Sequence, residues 1–306
     1  MRLIPNAEVR ANADPDEAVA AIRRAFGEQA QGAAALQARH RIAAGATKIS
    51  TMAAILPSEG VAGAKVYTTV DGRFRFLMLL FDAATGEPLA CMEADAFTEL
   101  RTAAVTVAAT ESLANPDADV LAVFGTGVQA GANLRALARR LPLREIRVVS
   151  RGDATEFCTA MAAATGLPVV QAAADEAVAG AGVVVTATRA KAPLFHGTAL
   201  SPGAFVAALG STLPDAAELD ATTFIRAASV VVEWAPQALA EAGDLLLAES
   251  AGAFDHHHMI ELAAALADPS CARPDKNSIV IYKSVGIALE DVAVAAAIWR
   301  RITGAD

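Results

Sequence analysis

Cysteine is scarce in this chain. Cys91, Cys158 and Cys271 are the three among 306 residues, far apart and without a CxxC pair. That spacing builds neither a disulfide framework nor a zinc centre, and it suits a reducing compartment. Basic charge is also in short supply: 25 Lys and Arg stand against 34 Asp and Glu, for a formal net charge of −9. An acidic surface disfavours nucleic acid or an anionic membrane as partner, since both need a basic footprint. A small anion remains open as a ligand, because a local pair of arginines can override the global sign. Long apolar runs are missing too. The opening Met1-Arg-Leu-Ile-Pro-Asn6 lacks the core of a signal peptide. The longest uncharged stretch, about 192–214, is broken by prolines, glycines and His196, so it does not read as a membrane span. Repeats and low-complexity tracts do not stand out. The expectation is a soluble cytoplasmic protein.

What is present is core-forming material. Hydrophobic residues make up 54% and charged residues 19%, over a length that favours two domains. Asp14-Pro15 starts a helix, with Glu17 at the capping-box position, Ala18, Ile22, Ala25 and Phe26 at helical spacing, and Gly27 as a stop. Between about Lys48 and Ala90 the pattern changes to strands, at 48–52, 64–69 and 73–81. Turn signals fall at Pro57-Ser-Glu-Gly60 and Asp71-Gly72. Phe97 to Leu113 is again helical. From Asp119 strands and helices alternate, with strands at 120–124, 146–149, 183–186, 205–209 and 230–232. Such alternation means βαβ units and a parallel sheet. The expected fold is α/β: an N-terminal α+β domain (1–115 with 284–306) and a Rossmann-type doubly wound domain (116–283). The boundary falls near Asn115-Pro116-Asp117. The last segment, Ser284 to Ile302, reads as a long helix expected to return to the first domain.

Gly125-Thr126-Gly127-Val128-Gln129-Ala130 follows an apolar strand and opens a helix. A GxGxxA string alone is weak, but this context gives it a mechanism. Gly125 allows the tight turn, Gly127 admits a pyrophosphate, Ala130 permits close packing, and the helix N-terminus supplies amides. We read a nicotinamide dinucleotide site. The second strand ends at Val149-Ser150-Arg151, where an NAD-specific site would place a carboxylate for the ribose hydroxyl. Ser150 removes that charge and Arg151 can bind a 2′-phosphate, so NADP(H) is preferred. Asp153 close by leaves NAD(H) open.

Several segments together resemble the ornithine cyclodeaminase/μ-crystallin family. They are Gly63-Ala-Lys-Val66, Leu77-Met-Leu-Leu-Phe-Asp-Ala-Ala-Thr-Gly-Glu-Pro-Leu-Ala90, Leu100-Arg-Thr-Ala-Ala104, the Gly125 turn, Val184-Val-Thr-Ala-Thr188 and Lys283-Ser-Val-Gly-Ile-Ala-Leu-Glu-Asp291. The resemblance implies an N-terminal dimerisation and substrate domain, a homodimer, and an active site over the nicotinamide between the two domains. It implies a small imino or amino acid substrate, with Thr186 and Thr188 near the cofactor. It places a carboxylate-binding arginine on Arg101, whose guanidinium fork grips a carboxylate bidentately. The bland alternative is a surface arginine paired with Glu99 or Asp95. A second arginine falls on Arg39 or Arg41, which sequence does not separate. Lys65 matches the family lysine that orients the substrate and relays a proton to its nitrogen; an exposed strand lysine is the competing reading.

The informative departure lies in Ala208-Leu-Gly-Ser-Thr-Leu-Pro-Asp-Ala-Ala-Glu-Leu-Asp220. Cyclodeaminases carry an aspartate where this chain has Thr212. Deamination and ring closure need a base, and a threonine hydroxyl is a poor one. Asp215 lies beyond the proline and is a doubtful substitute. A reductase has less acid–base work to do. The expectation is therefore reduction of a cyclic imino acid, with Δ1-pyrroline-2-carboxylate to L-proline as best guess and Thr212 helping to position the substrate. The alternatives are ornithine cyclodeamination, alanine dehydrogenation and a non-catalytic NADPH-binding dimer like the crystallin branch. Asp255-His-His-His258 looks like a metal tract, but neighbouring histidines on a helix diverge and no carboxylate or cysteine spacing completes a site, so no metal is expected. His196 reads as a loop residue, and Glu290-Asp291 as packing more than chemistry.

Overall fold

The computed structural model describes residues 1–304. Its contacts divide the chain into two units, Met1–Val105 with the segment from Gly286 on, and Thr106–Val285. The division thus falls earlier than the loop at 115–117. Asn115-Pro116 punctuates a helix, whereas the unit boundary lies inside that helix.

In the first unit β1 (Arg2–Ile4) leads into α1 (Asn6–Ala11) and α2 (Pro15–Ala30). Asp14 caps α2 by accepting from the Asp16 and Glu17 amides. The reciprocal half of the capping box is not made, because Glu17 pairs with Arg24 instead. Gly27 does not stop the helix, which runs on to Ala30; a glycine in a helix costs only about 1 kcal/mol, and a buried Phe26 face outweighs that. Next come β2 (Ala35–Ala44), β3 (Thr47–Leu56), β4 (Val61–Val70), β5 (Arg73–Asp82), β6 (Pro88–Glu93) and α3 (Asp95–Leu113). The sheet order is β1-β6-β5-β4-β3-β2. Asp71 and Gly72 both have positive φ, as a tight two-residue hairpin between twisted strands requires. β2 has no apolar alternation to announce it. It is an edge strand, exposed or half-buried throughout and interrupted by a bulge between Gln37 and His40.

The second unit carries the parallel sheet. In chain order it has β7 (Val120–Phe124), α4 (Val128–Ala138), β8 (Glu145–Val149), α5 (Thr155–Thr165), β9 (Val169–Gln171), α6 (Ala174–Val178) and β10 (Val183–Thr186). There follow β11 (Phe205–Ala208), α7 (Ala221–Arg226), β12 (Ser229–Val232), α8 (Ala235–Glu241), α9 (Gly243–Ser250), β13 (Met259–Glu261), α10 (Leu262–Ala267) and β14 (Val280–Lys283). The order β13-β12-β14-β11-β10-β7-β8-β9 is parallel at every pairing. Strands such as Val120-Leu-Ala-Val-Phe124 are buried on both faces, which is why they read as unbroken apolar runs. The order reverses between β7 and β10, and ligands of doubly wound sheets bind at such a switch point.

The last helix, α11, spans Ala288–Thr303 and packs within the first unit on α2, β3, β4 and β5. It starts four residues later than expected, because Gly286 has φ +74° and keeps 284–287 out of the helix. Among the described residues no helix is long and apolar enough to cross a membrane.

Candidate functional site

In the first unit, three of the residues singled out in the sequence meet. Lys65 lies mid-strand on β4, on the face turned toward α11, with Met52 and Met78 opposite it on the neighbouring strands. It is buried, at 2% exposure, which removes the exposed-lysine reading. Its ammonium donates to Thr98 Oγ1 and Asp291 Oδ1, each at 3.0 Å, and sits 4.8 Å from the centroid of the Phe76 ring. Thr98 spends its own proton on Ala94 O, so its oxygen is turned toward the lysine. Burial, opposed by the charge of Asp291, lowers the Lys65 pKa to about 8.

Arg101, on α3, is also buried and points into the same cluster. Its Nη1 donates to Glu290 Oε2 at 2.8 Å and its Nε lies 3.3 Å from Asp291 Oδ1. The partners are therefore the two carboxylates opening α11, and not Glu99 or Asp95. Glu99 faces Arg10. Gly286 makes room for this guanidinium: a Cβ there would stand 2.5 Å from Arg101 Nη1. Arg39 reaches the same turn, donating from Nη2 to Gly286 O at 2.8 Å, and its charge is among those bearing on Lys65. Arg41 sits two residues on, opposite Ser50. Glu290 and Asp291, assigned to packing from sequence, are fully buried counter-charges of the cluster.

Two residues before Lys65, Gly63 sets the depth of the cluster. A side chain there would meet Met78 Cε at 2.7 Å, Leu79 O at 2.9 Å and Val292 Cγ2 at 3.0 Å. The glycine lets α11 lie close to β4, and Asp291 thereby reaches Lys65.

The second unit holds the dinucleotide features. Gly125 follows β7 with φ +108°, and a Cβ on it would stand 2.8 Å from Ala187 O. Its amide donates to Val149 O. Gly127 precedes α4, provides no side-chain cap, and has open space where a Cβ would be. Thr126, Gly127 and Val128 are exposed while Gln129 is half-buried and Ala130 is buried. The first amides of an uncapped helix want an acceptor, and the open glycine edge lets a pyrophosphate approach them. The residues present therefore fit a dinucleotide. At the end of β8, Ser150 Oγ accepts from the Gly152 amide and Arg151 is exposed. Asp153 accepts from the Thr155 amide and hydroxyl, so its carboxylate serves the start of α5.

Thr186 and Thr188 turn their hydroxyls to Glu218, a buried residue not anticipated from sequence. Glu218 also accepts from the Thr188 and Gly210 amides, at 2.8 and 2.7 Å. One carboxylate thus ties the loop after β10 to the loop after β11, which carries Thr212. Asp244 holds the same segment by accepting from the Glu218 and Leu219 amides, and pairs with buried Lys283 at 3.0 Å. Glu218 lies in the same 208–220 stretch that drew attention to Thr212, and burial was the missing signal. Thr212 is half-buried. Asp215 is exposed and pairs with Lys191 at 3.0 Å, away from the role of a replacement base. The histidine tract forms a short 3-10 turn, so its side chains do not diverge as on a helix. The His256 and His257 rings stand 4.1 Å apart. Ligand atoms of Asp255, His256 and His257 come within 4.8 Å of one another, contrary to the expectation that nothing completes the set; His256 Nδ1 is taken by Glu249. His196 is exposed and bonds Asp175.

The chain is similar to several known proteins. A Δ1-pyrroline-2-carboxylate reductase of Colwellia psychrerythraea is 34% identical over 263 residues, 79% of this chain and 81% of that one. The crystal structure of a probable ornithine cyclodeaminase from Bordetella pertussis Tohama I superposes with TM-score 0.96 at 45% identity, covering 99% and 97% of the two chains. A Thermococcus litoralis Δ1-pyrroline-2-carboxylate reductase, solved with NADH and L-proline, superposes with TM-score 0.93 at 27% identity over 99% and 98%. The ornithine cyclodeaminase/mu-crystallin family matches residues 2–306, and the chain belongs to that family.

Proposed function

We propose that the protein is an NAD(P)H-dependent reductase of cyclic imino acids, with Δ1-pyrroline-2-carboxylate, reduced to L-proline, as its substrate. The observation that carries this reading is the cluster of buried Lys65 and Arg101 with half-buried Arg39, in a chain that has Thr212 in place of a catalytic carboxylate. Arg101 and Arg39 bind the substrate carboxylate; Arg39, not Arg41, shares the Gly286 turn with Arg101. Lys65 carries a proton that stabilises or supplies the iminium N–H. A lysine with a pKa of about 8 is mostly protonated at neutral pH yet gives up the proton readily. A bound dihydronicotinamide would supply hydride for C2, and the nitrogen would keep the proton that Lys65 stabilises or supplies. Thr212 positions the substrate or a water. Ser150 and Arg151, with Asp153 turned to Thr155, favour NADP(H) over NAD(H). Two copies of the chain pair through the first unit.

The two relatives named as reductases support this choice, and the Bordetella structure names the rival. The deciding experiment measures NADPH oxidation with five- and six-membered cyclic ketimine carboxylates, beside L-ornithine with NAD+. Ketimine-dependent oxidation, fastest with the five-membered ring, is expected. Ammonia released from ornithine without ketimine turnover would overturn the reading, and tight NADPH binding without turnover on any substrate would make the protein a binding dimer. Comparable kcat/KM values for NADH and NADPH would remove the role given to Ser150 and Arg151.

A further inference from the structure

We infer that Asp291 is a positioning residue that keeps Lys65 protonated and aimed, and so sets the upper pH limit of the reaction. This rests on the reading of Lys65 as the proton-bearing group.

Lys65 has charged neighbours on three elements. Arg39 faces it from β2, Arg101 from α3, and Asp291 beside Glu290 from α11; Met52 on β3 and Phe76 and Met78 on β5 bring no charge. Burial and two guanidinium groups all press Lys65 toward its neutral form. Glu290 is spent on Arg101 through a 2.8 Å bond. Among the described residues Asp291 alone puts a carboxylate oxygen on the lysine, at 3.0 Å, and Thr98 offers only a neutral acceptor. The Oδ2 atom of Asp291 is buried and takes no hydrogen bond among the described residues, and Oδ1, which also lies 3.3 Å from Arg101 Nε, accepts the hydrogen bond from Lys65. A carboxylate serving only as packing would bring no benefit at such a desolvation cost.

Two readouts separate this role from a structural one. The chain has five lysines, so 13Cε labelling with Lys65→Met for assignment lets the Lys65 titration be followed by NMR without any turnover. The resonance is expected to titrate near pH 8 in the wild type, as its burial dictates, and at least one pH unit lower in Asp291→Asn. In ketimine reduction, Asp291→Asn is expected to lose tenfold or more of kcat at pH 8. Most of it should return at pH 6, with KM changed less than threefold. A Lys65 titration that does not move, or a kcat loss equal at all pH values, overturns the inference. Should Asp291→Asn fail to fold, Asp291→Glu decides. It keeps the charge, so Lys65 should titrate within half a unit of wild type, and a fall of one unit or more refutes the role. Failure of the wild type to turn over any ketimine would refute the proposed function and leave the NMR result standing on its own.

Discussion

At the scale of single residues, the buried cations Lys65 and Arg101 meet their counter-charges on one helix, where Asp291 and Glu290 stand side by side. Lys65 and Arg101 stand out because each interrupts a small or apolar stretch, and charge is not buried without purpose. Their partners lie 226 and 189 positions away, beyond the reach of any local pattern. Glu290 and Asp291 open a helix, where acidic residues are favourable on dipole grounds alone, so their sequence position hides their second task. Arg39 lies within the bulge of β2 and reaches Gly286 O, whereas Arg41 stands opposite Ser50. The Arg101 guanidinium, held by Glu290 and Asp291 and laid against Gly286, is placed as a planar fork. Arg101→Lys keeps the charge and loses that fork. A charge-assisted hydrogen bond is worth about 1.5–3 kcal/mol, so KM for the imino acid should rise between tenfold and a hundredfold. The NADPH dissociation constant should stay within twofold, as read by fluorescence titration. An unchanged KM would take Arg101 out of substrate binding.

At the scale of elements, the parallel strands were plain because burial on both faces writes them as apolar runs. The edge strand β2 was hidden for the opposite reason, since an exposed edge imposes no pattern. The loop from Leu209 to Asp220 was noticed for Thr212, yet what fixes it is buried behind it. Glu218 gathers Thr186, Thr188 and Gly210, and Asp244 with Lys283 anchors Glu218's own backbone. Asp244→Ala would leave a fully buried Lys283 unpaired. Breaking a buried pair by removing one partner costs about 3–5 kcal/mol. Urea unfolding should show that loss for the single variant. Lys283→Met with Asp244→Leu removes both charges, and its loss should fall short of the sum of the two single changes. Strict additivity would show that the two groups do not act as a pair.

At the scale of the whole molecule, one face of the first sheet asks for a partner. Met52, Lys65, Met78 and Met92 share the face turned to the helices, in register across β3, β4, β5 and β6. The opposite face carries Ile55, Leu77 and Leu3, which are 45%, 45% and 72% exposed, with Val66, Ala64 and Leu79 between them. A contiguous apolar face of this kind marks an association surface. A second copy suits it, because a two-fold axis sets the same face against itself and each side chain is used twice. Burying one leucine is worth about 1.5–3 kcal/mol. Leu77→Asp acts on both copies, so it should weaken the dimer by about 3 kcal/mol or more, over a hundredfold in dissociation constant. Light scattering coupled to size exclusion at micromolar concentration should then report about 31 kDa in place of twice that mass. The circular dichroism spectrum should be unchanged, because Leu77 points away from the helix-covered face. If the wild type already runs as a monomer, the pairing of copies fails; if Leu77→Asp stays dimeric, the copies meet through some other surface.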